Sequence, residues 1–345
     1  MNNTLILGKK DSGKTTGYMF SKFKSIISAK ENLIVIDSKK EYWHTFGKSL
    51  KDNGYKTLII NLNEPEKSNG FNILWLPYKL YKEGKKDLSL RILTSLYKEI
   101  LFNKESHEDS FWINSAANYL IGLTLLLFEQ GEEKEINLGS IYVLVMQYER
   151  KSFDSLKNYL ENLSVTNSIY IYAYLSGTVL APIDTRGGIT STVKERLCLY
   201  IGSESILKLL CTNEIQLNAL DEPYALFIFD NEDYSGITNA LIDEVGLYLK
   251  NYNLIIDNAD NLNKIIRLNT ILENSQINNT KLYYISRNKE NIRRNYSDSI
   301  IDKFNKIIDA NLEMHNTIPI GNYDEYPNLF VTKNNYINPD AIKLN

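Results

Sequence analysis

Along the first eighty residues, short apolar runs rich in β-branched side chains alternate with helical patterns. The apolar runs predict strands at 5–7, 32–37 and 57–62, and the periodicity between them predicts helices at 14–28 and 41–53. Strands that alternate with helices are joined by right-handed crossovers, which makes the sheet parallel. Ligands of such sheets bind at the carboxyl ends of the strands. The pattern therefore predicts an α/β domain with its site at that edge.

A second pattern begins at about residue 87, where helical periodicity replaces strand signals as far as about residue 173. Helices are predicted there at 88–102, 111–129, 138–147 and 153–163. Strands return at 225–229, 254–257 and 282–285, separated by predicted helices at 237–250 and 265–273. We therefore expect an all-α domain, residues 87–178, inserted between two parts of the α/β domain, residues 1–86 and 179–345.

Residues 8–15 fit the pattern G-x-x-x-x-G-K-[ST] of a phosphate-binding loop. A surface turn rich in glycine and lysine could carry the same letters, but the preceding strand and the following helix favour the phosphate loop. In this setting backbone N–H groups and the helix N-terminus face an anion. Lys14 is expected to reach the β- and γ-phosphates, and the Thr15 hydroxyl to ligate Mg²⁺.

The predicted ligands are thus ATP and Mg²⁺, and the α/β domain is a nucleotide-binding domain. Its fold class is the RecA-like P-loop NTPase fold, a parallel-rich twisted sheet flanked by helices, here with an inserted all-α domain. The predicted nucleotide-binding residues are Gly8, Lys9, Lys10, Asp11, Ser12, Gly13, Lys14, Thr15 and Thr16.

A phosphate loop needs an acidic partner at the end of a neighbouring strand to hold Mg²⁺. Two predicted strands offer one, since 224–229 is followed by Asp230 and 253–256 by Asp257. The residues themselves leave the choice open, and each strand could also end in an ordinary polar cap.

Three other charged features each have more than one interpretation. Asp37 and Lys39 could line the nucleotide cleft, or Asp37 could cap the next helix with the charges around it solvated. Lys9 and Lys10 could add positive charge toward the phosphates, or toward solvent or a channel. The basic cluster after the last predicted strand could touch nucleotide, a subunit interface or a nucleic-acid backbone, but such runs are more often a solvated helix face. Its members are Arg287, Lys289, Arg293 and Arg294.

Composition narrows the class of protein. A formal charge of −3 argues against a monomer that coats nucleic acid electrostatically, and two cysteines exclude a disulfide framework. The three histidines show no metal-ligand spacing. No secretory signal precedes the first strand, and the longest apolar stretch, 119–128, is shorter than the ~20 residues that span a bilayer. We expect this stretch to be a buried core helix and the chain itself to be soluble.

Taken in order, these segments resemble the coupling proteins of bacterial conjugation and type IV secretion, the TraG/TraD-type ATPases of the HerA/FtsK superfamily. Residues 33–41 resemble that family's strand ending in Asp-Pro-Lys-Gly-Glu, and 54–62 with 68–72 resemble its Gly-Tyr, Asn-Leu and Ser-x-x-Phe-Asn stretch. Residues 110–112 resemble its entry into the all-α domain. Residues 223–233 and 256–264 are similar to its two acidic strand ends. The resemblance runs from residue 3 to about residue 311.

This resemblance implies that Asp257 is the Mg²⁺-side aspartate, so that Thr15 and Asp257 are the expected metal residues. It also implies a hexameric ATP-driven motor that passes single-stranded DNA, with its relaxase, to a type IV secretion channel. The implied location is the cytoplasmic face of the bacterial inner membrane. Family members carry transmembrane helices ahead of the phosphate loop; without them, this chain would be a soluble fragment or would rely on a separate membrane partner.

The positions expected to be catalytic are Lys14, Asp257, Asn258 and Arg287, and two of them depart from the family. Asn258 stands where the family has the glutamate that polarises water, and Arg287 where it has a glutamine. The expected arginine finger falls near Gln276. Such a finger is worth ~10³–10⁵ in rate, so hydrolysis is expected to be slow, although Glu232 or Asp260 could substitute for the glutamate.

Two alternatives to a motor stay open. One is a nucleotide-binding adaptor of the same machinery with little or no hydrolysis. The other is an unrelated P-loop kinase or GTPase, which the lack of a suitably placed Asn-Lys-x-Asp motif disfavours.

Overall fold

The computed structural model describes residues 3–102, 110–151, 153–163, 169–262, 264–310, 317–326 and 335–342. The chain divides into two compact units. One comprises Met1–Asn69 with Leu217–Leu329, and the other Gly70–Gln216 with Phe330–Asn345.

The described residues form the following regular elements. The strands are β1 (Asn3–Leu7), β2 (Asn32–Ile36), β3 (Lys56–Asn61), β4 (Tyr224–Phe229), β5 (Tyr252–Ile256), β6 (Lys281–Ser286) and β7 (Lys306–Asp309). The helices are α1 (Phe20–Ser28), α2 (Glu41–Asp52), α3 (Trp75–Lys82), α4 (Lys86–Leu101), α5 (Ser110–Gln130), α6 (Leu138–Arg150), α7 (Asp154–Asn162), α8 (Ile169–Val179), α9 (Ile183–Ile201), α10 (Glu204–Cys211), α11 (Ser235–Tyr248), α12 (Leu268–Asn274) and α13 (Lys289–Asn295). A π-helical turn, Lys14–Met19, leads into α1.

All seven strands belong to one parallel sheet in the first unit, in the order β3-β4-β2-β5-β6-β1-β7. Every residue of β1, β2, β4 and β5 is buried. This is the pattern of a parallel sheet covered on both faces, and it explains why these strands are continuous apolar runs in the sequence. The predicted parallel sheet is confirmed, with β7 as a strand that the apolar pattern did not predict.

An aromatic cluster packs α1 and α2 onto one face of the sheet. Phe23 stacks on Phe46 with ring centroids 4.8 Å apart, and Trp43 lies edge-on to Phe227 of β4 at 5.1 Å. Tyr42 sits in the same cluster and is fully buried. Because α1 follows the phosphate loop, this packing fixes the direction in which the loop is presented.

The second unit is built from α3 to α10 around α5, whose residues 119–128 are all buried. Gly122 allows a close crossing of α5 with α8, since a Cβ there would lie 2.5 Å from a Leu175 methyl carbon. In the described part of the chain, α5 is the one helix long and apolar enough to cross a bilayer, and 67% of its apolar window is buried.

The limits of this unit differ from the expected 87–178. Helix α3 precedes residue 87 and helices α9 and α10 follow residue 178, yet all three pack within the helical unit. The unit also takes in Phe330–Asn345. For α9 the difference arises because it buries Arg186, Thr190 and Arg196 together with its apolar residues, which obscures its helical periodicity.

Candidate functional site

The phosphate loop lies at the carboxyl end of β1, where the chain turns sharply into the π-helical turn. Gly13 makes this turn with φ 83°, a left-handed conformation that favours glycine. The Gly13 carbonyl then accepts from both Gly17 N and Tyr18 N, at 2.8 and 3.2 Å. At the start of the loop a Cβ on Gly8 would lie 2.3 Å from the Ser12 hydroxyl and 3.1 Å from Lys14 Cγ, so a side chain there would push Ser12 out of its place. All nine predicted nucleotide-binding residues, 8–16, lie in this one turn.

Lys14 lies back along its own loop. Its Nζ donates to the backbone oxygens of Gly8 and Lys9, at 2.5 and 2.7 Å. Partial burial lowers the pKa of Lys14, while the nearby carboxylates of Asp257 and Asp260 act in the opposite direction. The amine is therefore held at the mouth of the loop with acidic groups near it.

Asp257 follows the last residue of β5 and reaches the phosphate loop through Thr15. Its Oδ2 accepts from Thr15 Oγ1 at 2.8 Å and from Tyr42 Oη at 3.0 Å, and its Oδ1 accepts from Asn258 N at 2.7 Å. The side chain is only 4% exposed, and this burial raises the pKa of Asp257. The two residues predicted to face the metal, 242 positions apart in sequence, are thus hydrogen-bonded to each other.

The two strands that carry this pair are not neighbours, contrary to the expectation of adjacent sheet tips. Strand β6 lies between β1 and β5. The gap is bridged because Thr15 already belongs to the turn after the loop, beyond the end of β1.

Asp230, the other candidate aspartate, lies elsewhere. It follows β4, which is separated from β5 by β2, and its carboxylate accepts from Thr238 at the start of α11. Burial raises the pKa of Asp230 to about 6. Glu232 follows in an exposed turn and does not line the cavity at the phosphate loop. Of the two acidic strand ends, the one that contacts the loop is therefore Asp257.

A cavity of about 370 Å³ opens in front of the phosphate loop. Its walls are charged or polar apart from two isoleucines and a glycine. They comprise Lys10, Asp11, Ser12, Gly13, Lys14, Thr15, Thr16, Lys39, Glu41, Asn258, Asp260, Asn261, Ile285, Ser286, Arg287 and Ile320. All four expected catalytic positions meet here: Lys14, Asn258 and Arg287 in the wall, and Asp257 directly behind Thr15.

Arg287 is held at the cavity by Asp260, a residue that the sequence offered only as a substitute for the missing glutamate. Asp260 Oδ2 accepts from Arg287 N at 2.8 Å, and its Oδ1 accepts from Ser286 Oγ at 2.6 Å. The Arg287 Nε lies 3.9 Å from Asp260 Oδ2. Asp260 thus fixes the end of β6 beside the loop.

The remaining basic residues of that cluster lie on α13 and do not line the cavity. Arg293 is paired with Asp298 and Glu290 on the surface, at 2.5 and 3.3 Å. For Lys289, Arg293 and Arg294, the interpretation as a solvated helix face fits the structure.

Asp37 fits the interpretation as a helix cap, and Lys39 the interpretation as a residue of the cleft. Asp37 is buried, and its Oδ2 accepts from Trp43 N at 2.9 Å in the first turn of α2, which makes it a helix cap. Burial raises the pKa of Asp37 to about 8, with the nearby Asp257 acting in the same direction. Lys39 instead lines the cavity.

Comparison with known proteins finds one matching family and several similar folds. The family model for type IV secretory system conjugative DNA transfer matches residues 3–228. The fold is similar to the bacterial conjugative coupling protein TrwBdeltaN70 in its unbound monoclinic form, with a TM-score of 0.56 and 13% identity over 88% of this chain and 67% of that one. It is also similar to the plasmid coupling protein TrwB in complex with ADP and Mg²⁺, with a TM-score of 0.53 and 13% identity over 88% of this chain and 69% of that one.

A third similar structure is VirB4 of Thermoanaerobacter pseudethanolicus, with a TM-score of 0.53 and 14% identity over 89% of this chain and 77% of that one. No curated protein sequence matches the chain. At these identities the structural matches establish the fold, and the predicted α/β class is confirmed. Because the family model spans more than half of the 345 residues, the chain belongs to the type IV secretory system conjugative DNA transfer family.

Proposed function

We propose that this chain binds ATP with Mg²⁺ at the loop of residues 8–16 and acts as a coupling protein, driving DNA with its relaxase toward a type IV secretion channel. The observation that carries the proposal is the hydrogen bond from Thr15 to Asp257 beside Lys14. It joins a phosphate loop to an acidic strand end, which is the combination that nucleotide-bound Mg²⁺ requires.

The loop fits a chain of phosphates. The absence of a side chain at Gly8 lets the backbone pack closely against Ser12 and Lys14, and Gly13 is left-handed, as in backbone loops whose successive N–H groups bind an anion. Ser12 Oγ is buried and has no hydrogen-bond partner among the described residues, so this hydroxyl can still donate a hydrogen bond to a phosphate oxygen. Lys14 would exchange its two backbone oxygens for phosphate oxygens.

Thr15 and Asp257 fit Mg²⁺, which prefers oxygen ligands and usually keeps several waters. Since Thr15 Oγ1 donates its proton to Asp257, its lone pairs stay available to a cation. Asp257 would act through water, and Tyr42 would hold its carboxylate in place. Bound Mg²⁺ would supply positive charge against the β- and γ-phosphate oxygens.

Hydrolysis is proposed to be slow. Asn258 carries an amide, which cannot accept a proton from water as a carboxylate does. The carboxylates that line the cavity are Asp11, Glu41 and Asp260, and Asp260 is engaged by Ser286 and Arg287. Partial burial raises the pKa of Glu41. The amide at position 258 is the specific observation that favours the second candidate function, an adaptor that binds nucleotide and hydrolyses little.

The proposed assembly is a hexamer with nucleotide between subunits, working with type IV secretion components at the cytoplasmic face of the inner membrane. Membrane attachment would come from helices ahead of this sequence or from a separate partner. The helical unit would be the part that meets the transferred substrate.

The test is binding and turnover of MgATP by three proteins: wild type, Lys14→Ala and the control Lys24→Ala, an exposed lysine of α1. Wild type and the control should bind MgATP, and Lys14→Ala should bind at least tenfold more weakly. Turnover that rises with single-stranded DNA and disappears in Lys14→Ala supports the motor. Binding without turnover supports the adaptor, and wild type that binds no nucleotide refutes both.

A further inference from the structure

Residues 317–326, which we call the strap, run across the first unit close to the phosphate loop. We infer that the strap forms the wall of the nucleotide site that contacts the ribose and base, with Ile320 as the contact residue. This inference rests on the proposed function, because it assigns the part of the nucleotide that lies beyond the phosphates.

Three backbone N–H groups of the strap donate hydrogen bonds to the two elements that frame the site. Ile318 N donates to the backbone oxygen of Thr16, the last residue of the predicted loop, at 2.9 Å. Farther along, Gly321 N donates to Thr45 Oγ1 at 3.0 Å and Tyr323 N to the His44 backbone oxygen at 2.9 Å. The strap therefore crosses from the π-helical turn after the loop to the first half of α2.

Aromatic packing holds the far end of the strap. The ring of Tyr323 lies 5.2 Å from that of Trp43, in a slot left open by Gly47, where a Cβ would lie 2.2 Å from the tyrosine ring. Tyr326 packs edge-on to Phe229 at 6.3 Å. A segment anchored in this way is an ordered surface, which suits a binding wall better than a free tail does.

Ile320 is where the strap meets the cavity. It lines the cavity beside the loop, between the strap's contacts with Thr16 and Thr45. In the proposed function Lys14 holds the phosphates, and Thr15 with Asp257 holds the metal. The nucleoside would then contact a part of the wall that these groups leave open, and Ile320 belongs to that part.

The chemistry of the cavity wall supports the same assignment. Apart from a glycine, its apolar residues are Ile285, which is 1% exposed within β6, and Ile320, which is 49% exposed. Ile320 thus provides the accessible apolar surface in a wall that is otherwise polar or charged. A nucleoside presents a flat, largely apolar base, and ligand sites bury such groups against hydrophobic side chains.

The experiment compares two ligands, MgATP and magnesium tripolyphosphate, which carry the same number of phosphates but differ in the nucleoside. Their dissociation constants are measured by competition against radiolabelled ATP for wild type, Ile320→Ala and the control Ile307→Ala. Ile307 has similar exposure, 44%, on β7 and does not line the cavity. Thermal unfolding of each variant checks that the fold is intact.

We expect Ile320→Ala to weaken MgATP about tenfold and to leave tripolyphosphate within about twofold, since only the apolar contact with the nucleoside is reduced. Ile307→Ala should change neither ligand. Unchanged MgATP affinity in Ile320→Ala, or an equal loss for both ligands, would overturn the inference. So would wild type that binds tripolyphosphate as tightly as MgATP, although this result would leave the phosphate loop intact as a site. Wild type that binds neither ligand refutes the proposed function itself.

Discussion

Tyr42 provides a test of the proposed metal site because it contacts Asp257 from inside the core. It is fully buried between α1 and the sheet, and its hydroxyl donates to Asp257 Oδ2 at 3.0 Å. Burial raises the pKa of Tyr42 well above its ordinary value, so the hydroxyl keeps its proton and remains a donor. Tyr42→Phe removes this one hydrogen bond and keeps the ring that packs against Phe20 and Phe23.

The size of the effect follows from the partners that Asp257 retains. A hydrogen bond to a charged group is worth ~1.5–3 kcal/mol net. Asp257 keeps two donors in the variant, Thr15 Oγ1 and Asn258 N, so the loss should lie near the lower limit. About 1.4 kcal/mol is a factor of ten, and we expect the Mg²⁺ concentration needed for half-maximal ATP binding to rise about tenfold.

The assay is a Mg²⁺ titration of ATP binding, with Tyr55→Phe as the matched control. Tyr55 belongs to the same aromatic core, is 6% exposed, and donates to the Glu31 backbone oxygen at 2.9 Å, away from the site. Tyr42→Phe should lose ~1.5 kcal/mol of stability and Tyr55→Phe ~1 kcal/mol, but only Tyr42→Phe should shift the Mg²⁺ titration. Equal titrations for the two variants would refute the role of Tyr42 in holding Asp257.

Three further predictions follow. Gly8→Ala should weaken ATP binding about tenfold, because the new Cβ would displace the Ser12 hydroxyl, 2.3 Å away, and press on side-chain carbons of Lys14 and Ala310 at 3.1 and 3.2 Å; Gly177→Ala, whose Cβ meets nothing within 4 Å, should bind normally in the same equilibrium assay. Asp37→Asn tests the buried cap. The pKa of Asp37 is raised to about 8, so the folded state holds this proton more tightly and loses stability as pH rises from about 4 to 8, by up to ~1.4 kcal/mol per pH unit. In Asp37→Asn the free energy of unfolding, measured with denaturant, should fall less steeply with pH over that range than in wild type. Parallel pH dependences in the two proteins would contradict the raised pKa of Asp37. Asn258→Glu should raise steady-state ATP turnover by restoring a carboxylate, at a cost of ~1–2 kcal/mol because residue 258 has φ 55°; unchanged turnover would show that position 258 does not limit hydrolysis.

Most of the sheet was predictable because its strands are buried on both faces. Strands β2 and β4 are continuous apolar runs, and nothing in their surroundings competes with the pattern. Strand β7 differs, since its four residues begin with an exposed lysine and the half-exposed Ile307. Residues 306–309 form a strand because they pair with the free edge of β1, where Leu5 lies opposite Ile307. The sequence of residues 306–309 alone does not indicate this pairing.

The site was predictable from the sequence only where it is local. Lys14 and Thr15 belong to one short motif, but both Asp230 and Asp257 follow buried strands and look alike in sequence. Strand order separates them, and strand order is a property of the whole sheet. Tyr42 reaches the site only because α2 packs against the core, and Asp260 only because a turn after β5 brings it to the end of β6. No local pattern indicates either contact.

The backbone at position 258 links the missing glutamate to the shape of the site. Asn258 is left-handed, with φ 55°, and it opens the turn Ala259–Asn261 that brings Asp260 onto Ser286 and Arg287. Asparagine tolerates this conformation better than glutamate does. Asn258 cannot act as a base as a glutamate would, but its left-handed backbone helps to form the wall of the cavity. The hydrogen bond between Thr15 and Asp257 involves the side chain of neither Asn258 nor Asp260, so the proposed nucleotide binding does not require the proposed hydrolysis.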